Sequence, residues 1–366
     1  MQQPGDQRPR GFHKKGVRVT GILGTKPSIH NSTLLVSTGV PSLDALIGGG
    51  IAVGSCILID EDRYNTYTSL LLKYYIAEGI TNKHKIFLAS ANQPPSQILQ
   101  DLPQPITHEP AASSNNPPSD ADELSIAWRY KNQPSTQQTP ATFGNYYDIT
   151  KVMHKDVVSA ADVKMFDATY AADVEESSDD LSHPYQRLLQ QIQQTIEKEQ
   201  LSTGDKLPSN ILRVGIASLG SPYWSADTKA LLRFLFALRA LLRKSYATCF
   251  ITLPGHLFAD SEGIVSFSDC AIQLISFADN PHKYAKNPAF KEFHGLVKIR
   301  KLPWINSLIC HLPDTLDWVF KLRRKRLTIE KMHLPPDLSE TVSRSQEDPA
   351  KSFLSGQRNA SMKIDF

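Results

Sequence analysis

The chain has 366 residues, 40% of them hydrophobic and 21% charged, with a formal net charge of only +3. That length can bury a sizeable α/β core in one large domain or two small ones. The near-neutral balance excludes a surface that is drawn to nucleic acid as a whole, and leaves that role to a local basic patch.

Residues 1–30 are polar and basic, with Arg8, Arg10, Lys14, Lys15 and Arg18 and no apolar stretch of the signal-peptide kind, so a disordered tail is expected. Thr33–Val36 reads as a short strand. Thr38–Leu46 reads as a turn feeding a short helix, with Ser42 as its N-cap, and Gly48, Gly49 and Gly50 end it. Ser55–Ile59 is a compact apolar run and predicts a buried strand. Apolar positions Tyr67, Leu70, Leu71, Tyr74 and Tyr75 recur at helical spacing, predicting a helix from Tyr67 to Glu78 capped by Gly79. Lys85–Ser90 is the next strand. Strand, turn, helix and strand in that order make a βαβ unit, and a βαβ unit implies a parallel sheet.

Residues 101–122 and 131–142 are rich in Pro, Ser, Asn and Asp or Gln, and read as polar insertions. The island Leu124–Tyr130 between them and the island Phe143–Asp148 after them are aromatic. Such islands dock onto the domain itself or onto a partner. Trp128, Tyr130, Tyr146 and Tyr147 either stack on bases or fill an interface, and an interface is the more common use.

From residue 182 the ordered pattern resumes. Leu188, Leu189, Ile192 and Ile196 form a helical stripe, and Leu212–Ser218 a strand. An amphipathic helix is predicted over Asp227–Arg243 and a buried strand over Tyr246–Leu253, ended by Pro254 and Gly255. Cys270–Ile275, Phe293–Arg300, Ser307–Leu312 and Leu327–Glu330 are further strands, and residues 338–366 a disordered polar tail. The four cysteines, Cys56, Cys249, Cys270 and Cys310, stand in or beside apolar runs and never as a CxxC pair. They read as small core residues in a reducing compartment, and no metal site is expected. No run approaches ~18 apolar residues, so no membrane span is expected and the chain is placed in the cytoplasm and nucleus.

The stretch Thr38-Gly-Val-Pro-Ser-Leu-Asp-Ala-Leu-Ile-Gly-Gly-Gly-Ile-Ala-Val-Gly-Ser-Cys-Ile-Leu-Ile59 resembles the entry to RecA-like ATPases. That resemblance implies a mostly parallel central sheet flanked by helices, with a later antiparallel region. In an active ATPase the strand runs into G-x-x-x-x-G-K-[S/T], whose backbone N–H groups and lysine hold phosphates. Placed by the match, that loop is Glu61-Asp-Arg-Tyr-Asn-Thr-Tyr-Thr68. Glu61 and Thr66 stand at the glycine positions and Tyr67 at the lysine position; Thr68 alone keeps its hydroxyl. Asp60, Glu61 and Asp62 put negative charge where a triphosphate would sit, each repelling by on the order of a kcal/mol. The strand ending Ile216-Ala-Ser-Leu-Gly220 offers no carboxylate for Mg²⁺. No nucleotide cofactor and no catalytic residue are expected, a site built on Arg63 being the alternative.

Further stretches narrow the resemblance: Ile126–Tyr130, Phe143–Asp148, Ser218–Trp224, Phe293–Pro303 and His333–Asp337. Together with the degenerate loop they resemble the Elongator subunit-four family from about residue 30 to 338, giving a RecA-like domain over 31–337. The resemblance implies a hetero-hexameric ring with the fifth and sixth Elongator subunits. It implies that this ring binds tRNA and works beside a catalytic subcomplex that modifies the wobble uridine with 5-carboxymethyl-type groups. Lys298 and Arg300 keep the K-x-R spacing with which related rings reach a neighbour's phosphates, and alternation puts both on one strand face. They and Lys301 are candidates for a polyanion, against the reading of a charged strand edge. Arg323, Arg324, Lys325 and Arg326 form the densest basic run, open to RNA, nuclear import or plain solvation. His256 follows a strand where such domains face the ring's centre; His294 and His311 read as structural. A scaffold without RNA contact, or an active recombinase-like ATPase, are the rival readings.

Overall fold

A computed structural model describes residues 21–28, 33–106, 143–168, 183–203, 208–284, 290–307 and 312–332. Its core is a sheet built on the buried run Cys56–Asp60. Residues 338–366, residues 107–122 of the first polar insertion, the whole of the second, Trp128, Tyr130, Cys310 and His311 lie outside the described residues, as does most of the Ser307–Leu312 run. The start of the first insertion, expected as loop, instead forms a short strand at Pro103–Pro105.

Three short strands come first or nearly so: β1 (Thr25–Pro27), β2 (Leu34–Val36) and β3 (Ile51–Ala52), paired in the order β1-β2-β3. Helix α1 (Pro41–Leu46) sits between β2 and β3. Then follow β4 (Cys56–Asp60), α2 (Thr66–Thr81), β5 (Lys85–Ser90), α3 (Pro95–Gln100), β6 (Pro103–Pro105), β7 (Tyr147–Val152), α4 (Lys155–Ser159), β8 (Val163–Asp167), α5 (Pro184–Lys198), β9 (Leu212–Ile216) and α6 (Thr228–Arg243). The chain continues through β10 (Ala247–Leu253), α7 (Glu262–Ser266), β11 (Cys270–Ser276), α8 (Pro281–Tyr284), β12 (Gly295–Lys301), β13 (Trp318–Leu322) and β14 (Leu327–Lys331).

Among the described residues nine strands form the main sheet, in the order β14-β13-β12-β11-β4-β10-β9-β5-β8. From β11 to β8 every pairing is parallel; β11–β12, β12–β13 and β13–β14 are antiparallel. This is the α/β, RecA-like arrangement with a late antiparallel region. The central strands β4, β9 and β10 are buried along their whole length, as strands covered on both faces must be. One core layer packs α1 and α2 against the sheet, and the other packs α5 and α6 against its opposite face.

Local chemistry sets several boundaries differently from the sequence expectation. Pro41 opens α1 and Val40 is its N-cap; Ser42 instead accepts from the Ile329 N–H at 3.1 Å, tying the helix to β14. Gly79 lies inside α2, not at its end, because a Cβ there would stand 2.5 Å from Ile86 Cδ1 and 2.7 Å from Arg213 Cδ. Here glycine serves close helix–sheet approach. The expected N-terminal tail is structured from Thr25, because backbone pairing with β2 needs no apolar pattern. The segment Phe143–Asp148 docks on its own domain. Tyr147 is buried and donates to Glu78 Oε2 at 2.7 Å, the Asn145 N–H donates to the same oxygen at 3.1 Å, and Gly144, at φ +87°, fits against Ser37. Tyr147 therefore fills the core and offers no face to a partner.

Candidate functional site

In an open α/β sheet, ligands gather at the carboxyl ends of the parallel strands. Here the ends of β4, β9 and β10 bring together Asp60–Thr68, Ser218 and Gly255–His256. The β4–α2 connection is the stretch where a phosphate loop would lie. Its three acidic side chains are satisfied from within, while the buried Asn65 Oδ1 has no partner among the described residues.

Asp62 holds the centre. It is buried, and its carboxylate accepts the N–H groups of Thr66 at 2.9 Å, Tyr67 at 3.1 Å and Thr68 at 3.0 Å, and the Thr68 hydroxyl at 3.0 Å. These are the free donors of the first turn of α2, at the positive end of its dipole. A helix N-terminus of this kind is a ready anion site, and the chain fills it with its own anion. A phosphate entering there must displace a carboxylate that makes four hydrogen bonds. Tyr67, at the expected lysine position, lies against Phe320 and His294, with ring centroids 4.7 and 6.1 Å away. It ties α2 to β13 and brings no positive charge.

Glu61 and Asp60 are also committed. Glu61 accepts from Ser218 Oγ at 2.8 Å, and Asn65 and Asn92 each donate a side-chain N–H to that same Oγ. Ser218 stands at the end of β9, where a magnesium-holding carboxylate would be sought. Its φ of +46°, uncommon for a residue with a side chain, is held by its N–H donating to Thr252 Oγ1 at 2.7 Å. Burial raises the Glu61 carboxyl above the usual range, against hydrogen bonds from Thr252 and Ser218 that lower it. Asp60 accepts from the Gly255 N–H at 3.0 Å and from Arg300 Nη1 at 3.1 Å. Burial raises its pKa too, although Arg300 opposes the shift.

A match to the PAXNEB protein family covers residues 18–366. The chain belongs to that family. Within it, the Elongator complex protein 4 of Danio rerio is 46% identical over 358 residues, which is 91% of this chain and 90% of the relative. That of Homo sapiens is 41% identical over 360 residues, 91% of this chain and 84% of the relative. That of Drosophila melanogaster is 31% identical over 441 residues, 97% of this chain and 99% of the relative.

The PAXNEB fold separates the basic candidates. Lys298 is exposed on β12. Arg300 is 8% exposed and held within the chain: besides Asp60, its Nη2 donates to Ser261 Oγ at 3.1 Å and pairs with Glu262. The two therefore do not present a common polyanion surface in this conformation; the buried Asp60 draws the guanidinium inward. Lys301 Nζ donates to the carbonyls of Ser266 and Ser268. Arg323, Arg324, Lys325 and Arg326 form the exposed turn of the β13–β14 hairpin, where Arg323 pairs with Glu330 and Arg326 lies 5.3 Å over the Tyr146 ring. His256 is exposed in a 3-10 turn after β10, near Asp60. His294 lies beside Tyr67 and accepts from the Leu322 N–H. Among the described residues, no His/Cys/Asp/Glu group could hold a metal, and no helix is long and apolar enough to cross a membrane.

Asp62 as an internal cap escaped the sequence reading, which took it as one of three repelling charges. The signal was available: an aspartate shortly before a helix start is a capping residue type. Ser218 left no local signal, and neither did the contacts of Glu78 with Asn145 and Tyr147, because those partners lie far along the chain.

Proposed function

We propose that this chain is a non-catalytic, RecA-like subunit of the Elongator complex, working in the cytoplasm and nucleus. In this reading it stands in a hetero-hexameric ring with the fifth and sixth Elongator subunits. The ring binds tRNA and supports wobble-uridine modification, whose chemistry belongs to another subunit. Membership draws on the likeness, over most of both chains, to relatives named Elongator complex protein 4. The non-catalytic role rests on one observation, the Asp62 carboxylate seated on the first N–H groups of α2 where a phosphate would bind. The exposed Lys298 and the Arg324–Arg326 turn are the groups offered to RNA or to a neighbour.

A second reading, a scaffold subunit without RNA contact, is favoured by Arg300, Lys301 and Arg323, which are all engaged within the chain. Reconstitution with the fifth and sixth subunits, followed by tRNA binding to the ring and to this chain alone, separates the two. Ring formation with binding lost on Lys298→Ala and Arg324→Ala supports RNA contact. Ring formation with unchanged affinity supports the scaffold. Failure to assemble, or ATP hydrolysis by this chain alone, overturns both.

A further inference from the structure

At the opposite ends of the strands, where β4 and β11 begin, three cations gather around one carboxylate that two of them share. Arg239 and Arg243 lie four residues apart on α6 and so on one face of it. Both reach Asp269, just before β11, through Nε at 2.9 Å and Nη2 at 2.6 Å. The other oxygen of Asp269 accepts the Cys56 N–H at 2.9 Å, so the buried carboxylate has no free side. Lys301 comes from β12 and meets only backbone carbonyls, those of Ser266 and Ser268. These four residues line one cavity of about 240 Å³ with Trp304, Ile305 and Asn306. Trp304 is 61% exposed at its rim.

Two features go beyond an arginine pair anchoring an aspartate. Positive charge exceeds negative charge by two, three cations against one carboxylate, inside a single cavity. Burial first, and then the nearby Arg239, lower the Lys301 pKa. Donors are also left over. Arg239 uses only Nε, and neither of its terminal nitrogens has a partner among the described residues; Lys301 keeps one N–H beyond its two carbonyls. Beside Ile305 and Asn306, the wall ends in the exposed indole of Trp304, a flat surface of the kind on which bases stack.

We propose that Arg239, Arg243, Lys301 and Trp304 form a second binding site, for a nucleotide unit: a phosphate held by the three cations with its base lying on the Trp304 ring. The cavity is smaller than the roughly 300–1,000 Å³ that encloses a whole small ligand. It takes the phosphate and leaves the base outside, on the exposed indole. The guanidinium of Arg239, left with a free fork, suits phosphate oxygens, while Arg243, whose Nη1 donates to the Gly54 carbonyl and Nη2 to Asp269, adds positive charge beside it. The site needs neither the β4–α2 loop nor a ring, so it stands apart from the function proposed above. Its ligand is an RNA strand or a free nucleotide, which share this phosphate-plus-base chemistry.

The test uses the full chain and a fluorescein-labelled single-stranded oligoribonucleotide, read by anisotropy at several salt concentrations. Inorganic phosphate and AMP serve as competitors. Trp304→Ala is expected to weaken oligoribonucleotide binding about tenfold, the scale of one lost base stack. Lys301→Gln is expected to weaken it and to flatten the salt slope by about one, with Lys301→Arg restoring both. AMP should compete better than inorganic phosphate. AMP as strong as the oligoribonucleotide assigns the site to free nucleotides, and a much tighter oligoribonucleotide assigns it to RNA. The inference is overturned if wild-type protein binds neither, or if both variants keep wild-type affinity and salt slope. Trp304 is exposed, so its variant remains informative should Lys301→Gln disturb the fold. Ring assembly by wild-type protein, measured separately, bears on the proposed function alone.

Discussion

Replacing Asp62 with alanine removes the acceptor for three backbone N–H groups and one hydroxyl at the start of α2. Loss of a capping side chain costs about 0.5–2 kcal/mol. Hydrogen bonds to a charged group contribute roughly 1.5–3 kcal/mol each, less whatever water restores. The loop borders the surface at Arg63 and Tyr64, both exposed, so water reaches part of the gap. A net loss of about 3 kcal/mol follows. Unfolding entropy for a chain of 366 residues is about 0.8 kcal/mol/K, so the melting temperature should fall by about 4 °C. Asp62→Asn should fall between, since one carbonyl oxygen still accepts. Calorimetry in millimolar inorganic phosphate supplies the decisive arm. If the carboxylate occupies an anion site, phosphate should restabilise Asp62→Ala and leave wild-type protein unmoved, by up to about 2.7 kcal/mol at a hundredfold excess over its dissociation constant. An unchanged melting temperature in Asp62→Ala, or equal stabilisation of both proteins by phosphate, refutes the assignment.

Two buried groups titrate against each other. Burial raises Asp44 from its usual 3.8 to about 6, so its contribution is complete below the unfolded value and lost as pH rises through about 6. His84 is lowered from 6.5 to about 3, by burial and then by Arg213; its contribution is present above 6.5 and lost as pH falls toward 3. Between pH 4 and 6 the two slopes oppose, and Asp44→Asn should expose the histidine slope, up to about 1.4 kcal/mol per pH unit in denaturant titrations. Gly79→Ala, which in an open helix would stabilise by about 1 kcal/mol, should here destabilise, because its Cβ meets Ile86 and Arg213; a raised urea midpoint would contradict this. Arg300→Ala should cost about 3–5 kcal/mol by stranding the buried Asp60, while the exposed Lys298→Ala stays within about 0.5 kcal/mol. Thermal melts of the two variants compare them directly.

Much of the sheet was legible in the sequence, because its signals are local. The runs Cys56–Asp60, Lys85–Ser90 and Ala247–Leu253 are buried on both faces and read as unbroken apolar segments, and α6 carries its stripe in plain sight. The family-like segments were legible for the same reason: they are contiguous. Strands β8 and β13 were not. Val163–Asp167 is half-exposed at the sheet edge, and Trp318–Leu322 mixes lysine with its apolar residues, so neither carries a clean period.

The sequence alone established that the phosphate loop lacks its glycines and lysine, and that charge is clustered rather than global. Only the tertiary structure decided what the substituted residues do. Asp62 turns onto the helix start, Glu61 onto Ser218, and Asp60 onto Arg300, which stands 240 residues further along the chain. It likewise turned Arg300 inward while leaving Lys298 in solvent, and it set Lys301 beside two arginines of α6. A carboxylate's repulsion of a ligand and its capture by its own helix are the same charge in two geometries. Residue identity fixes the charge, but the partner it finds depends on which strands the fold lays side by side.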